Sequence, residues 1–148
     1  MIGEAEQFDL GRFVEAQDRY GVYDHALAEL RAGRKQSHWI WFVFPQIGGL
    51  GFSQMARRYA ISGLPEAAAY LSHPVLGRRL LDCCQALLQL RGTDPVAVLG
   101  EVDALKLRSS MTLFARVQGS DPRFAQVLDR YFDGVGDPVT ERWLRQPD

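Results

Sequence analysis

The run Gln36-Ser-His-Trp-Ile-Trp-Phe-Val-Phe-Pro-Gln46 constrains the fold of this chain more than any other segment. Four of its eleven residues are aromatic, His38 sits among them, and Arg34, Lys35, Ser37 and Gln46 bracket it with polar groups. On a surface the run would expose a large apolar patch, so it forms either the centre of a core or the wall of a pocket. Trp, Ile, Phe and Val favour a strand, and a strand followed by glycines and a helix would suggest an α/β unit. No second strand is visible to pair with it, and an isolated strand leaves its backbone donors unsatisfied. The run is therefore read as a buried helix.

The remaining pattern is helical. Phe13, Ala16, Tyr20, Tyr23, Leu27 and Leu30 recur at spacings of three and four, which predicts one amphipathic helix. Asp9 is its expected N-cap, Phe8 a staple onto Phe13, and Gly33 the stop. Asp94-Pro95, Asp121-Pro122 and Asp137-Pro138 each set a capping carboxylate before a residue with pre-set φ, and His73-Pro74 and Leu64-Pro65 are weaker versions. After Pro74, Leu76, Leu80, Cys83, Cys84, Leu87 and Leu88 line one face; after Pro122, Phe124, Val127, Leu128 and Tyr131 do the same, with Gly134 as a stop. Leu107, Met111, Phe114 and Val117 mark another short helix.

These elements predict an all-α fold, a single compact domain of roughly seven or eight short helices. With 148 residues, 47% of them hydrophobic, that domain is expected to span residues 1–148 with its core in about 8–146. Charge is balanced at 17 basic against 18 acidic residues, which lacks the footprint of a general nucleic-acid binder. The acidic start Met1-Ile-Gly-Glu-Ala-Glu-Gln7 has no apolar h-region, and no apolar run reaches membrane-spanning length. Adjacent Cys83 and Cys84 diverge by about 100° on a helix and cannot bridge each other, so reduced thiols and a cytoplasmic location are expected.

Three segments mix polarity with aromatic or glycine character. His25, His38 and His73 have no partners at zinc-ligand spacing, so neither a metal nor a cofactor is expected. In Ile47-Gly-Gly-Leu-Gly-Phe-Ser53, Gly48, Gly49 and Gly51 lead into a helix with Arg57 and Arg58 one turn inside. That arrangement would let the backbone approach an anion, or would simply form a tight turn between helices. In Asp103-Ala-Leu-Lys-Leu-Arg-Ser-Ser-Met-Thr-Leu-Phe114, helical spacing sets Lys106, Ser109 and Ser110 on one face, with Arg108 close by and Asp103 in reach of Lys106. Such a face would hold a phosphate or carboxylate, or else be solvated. His38 is the one base in view for a serine nucleophile.

Ser37-His-Trp-Ile-Trp-Phe-Val-Phe-Pro-Gln46, Gly48-Gly-Leu-Gly51, Tyr59-Ala-Ile61, His73-Pro-Val-Leu-Gly77 and Lys106-Leu-Arg-Ser-Ser-Met-Thr-Leu-Phe114 together resemble the bacterial family called domain of unknown function 1810. The resemblance covers about residues 8 to 146 and implies a mostly helical single domain, with no activity and no catalytic residues to carry over. Some members bear the label calpastatin-like, yet calpastatin inhibitors are disordered and this chain is rich in core-forming aromatics. The chain is also more distantly similar to NADAR proteins, which implies NAD or ADP-ribose metabolism and N-glycoside hydrolysis.

Two functions follow as expectations. One is a binder of, or hydrolase for, a small anionic, nucleotide-like molecule of the ADP-ribose type. Trp39 or Trp41 would stack a base, Gln46, the glycine loop, Lys106, Arg108, Ser109 and Ser110 would hold the anion, and Asp103 or Glu66 would orient water, with His38 as a further catalytic candidate. The other is a non-enzymatic helical interaction module, which leaves a homodimer open. Convergence separates them: His38, Gln46, the Gly48–Gly51 backbone and Lys106 or Ser109 are expected to line one cleft.

Overall fold

Aspartate–proline pairs start helices in this protein because a carboxylate caps free amides and proline has no N–H to leave unpaired. The computed structural model describes residues 3–145. Along them run α1 (Glu4–Gln7), α2 (Gly11–Asp18), α3 (Val22–Ala32), α4 (Ile40–Val43), α5 (Gln54–Arg58), α6 (Leu64–Ser72), α7 (Leu76–Leu88), α8 (Pro95–Leu99), α9 (Glu101–Ala115), α10 (Arg123–Phe132) and α11 (Pro138–Arg145). Asp94 caps α8 by accepting the Val96 amide, and Asp137 caps α11 through the amide and hydroxyl of Thr140. Asp121 accepts the Arg123 amide ahead of α10, and Nδ1 of His73 accepts from Val75 and Leu76 ahead of α7. The fold is all-α. Seven of the helices have eight residues or more, and the single-turn segments α1, α4, α5 and α8 account for the excess over the expected number.

The helix predicted across Phe13–Leu30 is two helices. A 3-10 turn at Arg19–Gly21 separates them, with Tyr20 at φ 54° and Gly21 at φ 66°, both left-handed. The bend lets α2 pack on α4 while α3 packs on α7. Asp9 is not the N-cap of α2: that position is Leu10, without a side-chain cap. Asp9 instead closes α1 at φ 52°, with the Leu10 amide bonded to the Ala5 carbonyl and its own amide to Glu6, a Schellman closure. Gly33 stops α3 as expected, at φ 78°.

The aromatic run is helical for one turn only, Ile40–Val43. Pro45 has no amide to donate and disfavours helical geometry at Phe44, so the chain leaves the helix there. It continues extended: the Ile61 amide donates to the Gln46 carbonyl and the Gly48 amide to the Ile61 carbonyl, both at 2.8 Å, forming an isolated parallel bridge between Ile47 and Ile61. Trp39, Phe42 and Phe44 are buried all the same. Helix α9 is longer than predicted. It begins at Glu101 after Gly100 and ends at Ala115, which leaves Val117 beyond it.

The core is one cluster threaded by aromatic rings. Phe42 meets Tyr59, Tyr59 meets Phe13, Phe13 stands edge-on to Tyr70 at 5.1 Å, and Phe114 links Tyr70 to Phe124. Helix α9 packs against α4, α6, α8, α10 and α11, and α7 against α3, α6 and α10. At the α6–α7 corner a Cβ on Gly77 would lie 2.1 Å from the Leu71 carbonyl oxygen, so only glycine fits. Cys83 and Cys84 are free and buried beside Leu80 and Leu87. Burial pushes the Cys83 thiol up to about 12 and raises Cys84 well above its ordinary value. Among the described residues no helix is long and apolar enough to cross a membrane.

Candidate functional site

One face of α9 carries Val102, Leu105, Lys106 and Ser109, spaced so that the four side chains fall one above another. This face forms one wall of a cleft of about 360 Å³. Gly49, Leu50 and Gly51 line it as well, with Trp41, Gln46 and Tyr59, and Asp137 and Val139 join from the start of α11. Local chemistry shapes the glycine wall. Gly49 holds φ 93° with the Trp143 ring against it, and a Cβ there would lie 2.9 Å from that ring. A Cβ on Gly51 is already 3.1 Å from Ala56, at the base of α5, whose N-cap is Ser53.

Charge in the cleft comes from two residues. The ammonium of Lys106 stands 5.1 Å from the centre of the half-buried Trp41 ring. Its carboxylate contact is long, 3.7 Å to Asp103 Oδ1, while Asp103 Oδ2 is held at 2.8 Å by Lys35. Asp137 is fixed from two sides: its amide donates to Thr112 Oγ1 at 2.8 Å, and its Oδ2 accepts from Thr140. Among the described residues no group of three or more His, Cys, Asp or Glu side chains is placed to hold a metal ion.

Of the residues singled out in the sequence, the cleft brings together Trp41, Gln46, Gly49, Gly51, Lys106 and Ser109. The others lie elsewhere, each for a visible reason. His38 is exposed and outside the lining. Trp39 is fully buried, and its indole N–H donates to Glu29 Oε1 at 3.0 Å, so it offers a ligand no face. Gly48 turns its amide to Ile61 and borders a neighbouring groove of about 860 Å³, which shares Ile47 and Gly49 with the cleft and is lined as well by Trp143. The Arg108 guanidinium donates to the Val135 carbonyl at 2.9 Å. Ser110 is buried on the inner side of α9, and its hydroxyl has no partner among the described residues. Asp103 stands behind Lys106, outside the lining, with both oxygens facing lysines. Glu66 is buried in a pair with Arg12 at 2.9 Å and also accepts from Ser62, a structural link between the chain start and α6.

The polar face predicted for α9 is thus partly interior, because neighbours enclose the helix. Ser109 and Thr112 return their hydroxyls to the carbonyls of Leu105 and Arg108, four residues back, as buried helical hydroxyls do. Tyr59 and Asp137 are cleft residues that sequence reasoning did not select. Asp137 was visible only as a helix cap, and Tyr59 only as part of a short motif.

The family model for a protein of unknown function, DUF1810, matches residues 7–144. The crystal structure of the conserved hypothetical protein Rv1873 from Mycobacterium tuberculosis is similar over 95% of this chain and 99% of that one, with 48% identity and a TM-score of 0.91. No curated protein matches at a significant level, and nothing in these comparisons supports the distant NADAR similarity. A match over nearly the whole chain, joined to a solved relative of the same fold at 48% identity, means that this chain belongs to the DUF1810 family.

Proposed function

We propose that the cleft binds a small ligand, taking an anionic group on Lys106 and a flat apolar part along Trp41. The observation that carries this reading is the state of Lys106: an ammonium with three N–H donors, set over an aromatic face, whose nearest carboxylate is 3.7 Å away and already engaged by Lys35. In a partly enclosed cleft an anion meets such a donor with less screening than in bulk water. A nucleotide or ADP-ribose-type molecule is one ligand with both parts. Binding is favoured over N-glycoside hydrolysis, because Asp103 is paired to two lysines and His38 stands outside the cleft.

The test is a thermal-shift screen of nucleotides, ADP-ribose and aromatic carboxylates on the wild type and Lys106→Ala. A ligand at 100 times its Kd adds about 2.7 kcal/mol of stability. A shift in the wild type that disappears in Lys106→Ala, with the unliganded midpoints close together, is the expected result. Shifts of equal size in both proteins would remove Lys106 from the reading.

A second reading rests on the rim. Val102 is 65% exposed, Leu105 62% and Val139 41%, and Phe52 is exposed on the adjoining loop. Contiguous exposed apolar side chains suit a protein interface. If this surface joins two copies, light scattering will show a dimer that Leu105→Lys converts to monomer.

A further inference from the structure

Lys106 and Asp137 face the same cleft with opposite charge and do not pair with each other. The carboxylate contact of Lys106 is Asp103, and Asp137 uses Oδ2 on Thr140 while its Oδ1 takes no hydrogen bond from the described residues. From this we infer that the ligand is a zwitterion, a small molecule of the α-amino-acid type. Its carboxylate lies on Lys106, its ammonium on Asp137 Oδ1, and its apolar side chain against Trp41 and Leu50. The inference rests on the cleft being a binding site and names what that site selects.

Charge balance favours this class over a polyanion. The lining holds one cation and one carboxylate, and the guanidinium of Arg108 is turned to Val135 outside it. A di- or triphosphate would meet a single ammonium and an opposing carboxylate. A zwitterion meets a complementary charge at each end and brings no net charge into the cleft. The remaining lining is mostly apolar, which suits an aliphatic or aromatic side chain rather than a sugar.

Both charged groups are also anchored to the same helix. Lys106 stands on α9, and Asp137 is tied to α9 by its amide bond to Thr112. Gly136 packs so closely on Thr112 that an added Cβ would lie 3.1 Å from Thr112 Cγ2, which fixes the backbone just before Asp137. Anchoring both backbones to α9 keeps the cation and the anion in the same cleft.

The experiment is calorimetry of the wild type, Lys106→Met and Asp137→Asn with apolar and aromatic L-amino acids, 3-phenylpropionate, which lacks the ammonium, and 2-phenylethylamine, which lacks the carboxylate. Asparagine still caps α11, so Asp137→Asn removes charge and keeps the helix start. L-phenylalanine, or another member of the amino-acid panel, is expected to bind the wild type at least tenfold more tightly than the monopolar analogue of its own side chain. Asp137→Asn should erase its advantage over the carboxylate analogue, and Lys106→Met its advantage over the amine. Equal affinity for phenylalanine and 3-phenylpropionate overturns the zwitterion and leaves the anion site standing. No binding of any amino acid, together with a nucleotide shift lost in Lys106→Ala, has the same meaning. Failure of every probe and every nucleotide on the wild type overturns both.

Discussion

Glu29 holds the approach to the aromatic run through four hydrogen bonds. Its Oε1 accepts from the amides of Gln36 and Ser37 and from the Trp39 indole, and its Oε2 from the Ser37 hydroxyl at 2.6 Å. Burial by itself raises the pKa of a carboxyl, but bonds made to the charged form outweigh it and hold Glu29 at about 2, against an ordinary value of 4.5. A folded value below the unfolded one means that this stabilisation is fully present above about pH 4.5 and is lost as pH falls toward 2. Glu29→Gln should therefore lower the urea midpoint at neutral pH and flatten its dependence between pH 4.5 and 2. Parallel pH profiles for the variant and the wild type would contradict this account. Glu29→Ala, which leaves no acceptor, would in addition show how far the fully buried Trp39 depends on a partner for its indole N–H.

At the scale of elements, the join between α2 and α3 is held by a residue poorly suited to its conformation. Among the described residues three non-glycine residues have left-handed backbones, Asp9, Tyr20 and Asp133. Aspartate tolerates that region, whereas a tyrosine there carries a steric cost of roughly 1–2 kcal/mol. Tyr20 is 89% exposed and recovers little of the cost through burial. Tyr20→Asn should stabilise the protein by about 0.5–1 kcal/mol in urea unfolding. A loss of stability would show that the exposed ring makes a contact worth more than the strain.

The molecule as a whole is one cooperative unit in this reading. The aromatic line from Phe42 to Phe124 crosses α2, α4, α6, α9 and α10, so none of these five helices can leave without opening a shared core. Far-UV circular dichroism and tryptophan fluorescence should trace a single coincident transition on denaturant unfolding. Separate midpoints would divide the core into two. Helix α11 is the least embedded of the longer helices: only Thr140 on it is fully buried, and its Arg116–Glu141 ion pair is partly exposed. Because α11 supplies Val139 to the cleft and its cap Asp137 lines it too, the docking of the helix and the shape of the cleft are one question.

The helix starts at the aspartate–proline pairs were legible because capping is local. Asp94, Asp121 and Asp137 reach amides two or three residues ahead, and no distant partner is needed. The buried faces of α7 and α10 were legible for the same reason, since periodicity alone sets which side chains share a side. The burial of Trp39, Phe42 and Phe44 followed from their apolar surface, whatever backbone they adopted. Other features rest on pairs far apart in the chain. The extended segment at Gln46–Gly48 exists because Ile61 supplies its hydrogen bonds. Trp39 is absent from the cleft because Glu29, ten residues earlier, takes its N–H, and Asp103 is unavailable because Lys35, distant in the chain, pairs with it at 2.8 Å. Lys106 and Asp137 line the same cleft with the Asp137 amide docked on Thr112. Capping and periodicity act over a few residues and can be read along the chain. Which charged groups are paired, and which are left to meet a ligand, depends on neighbours that folding alone brings together.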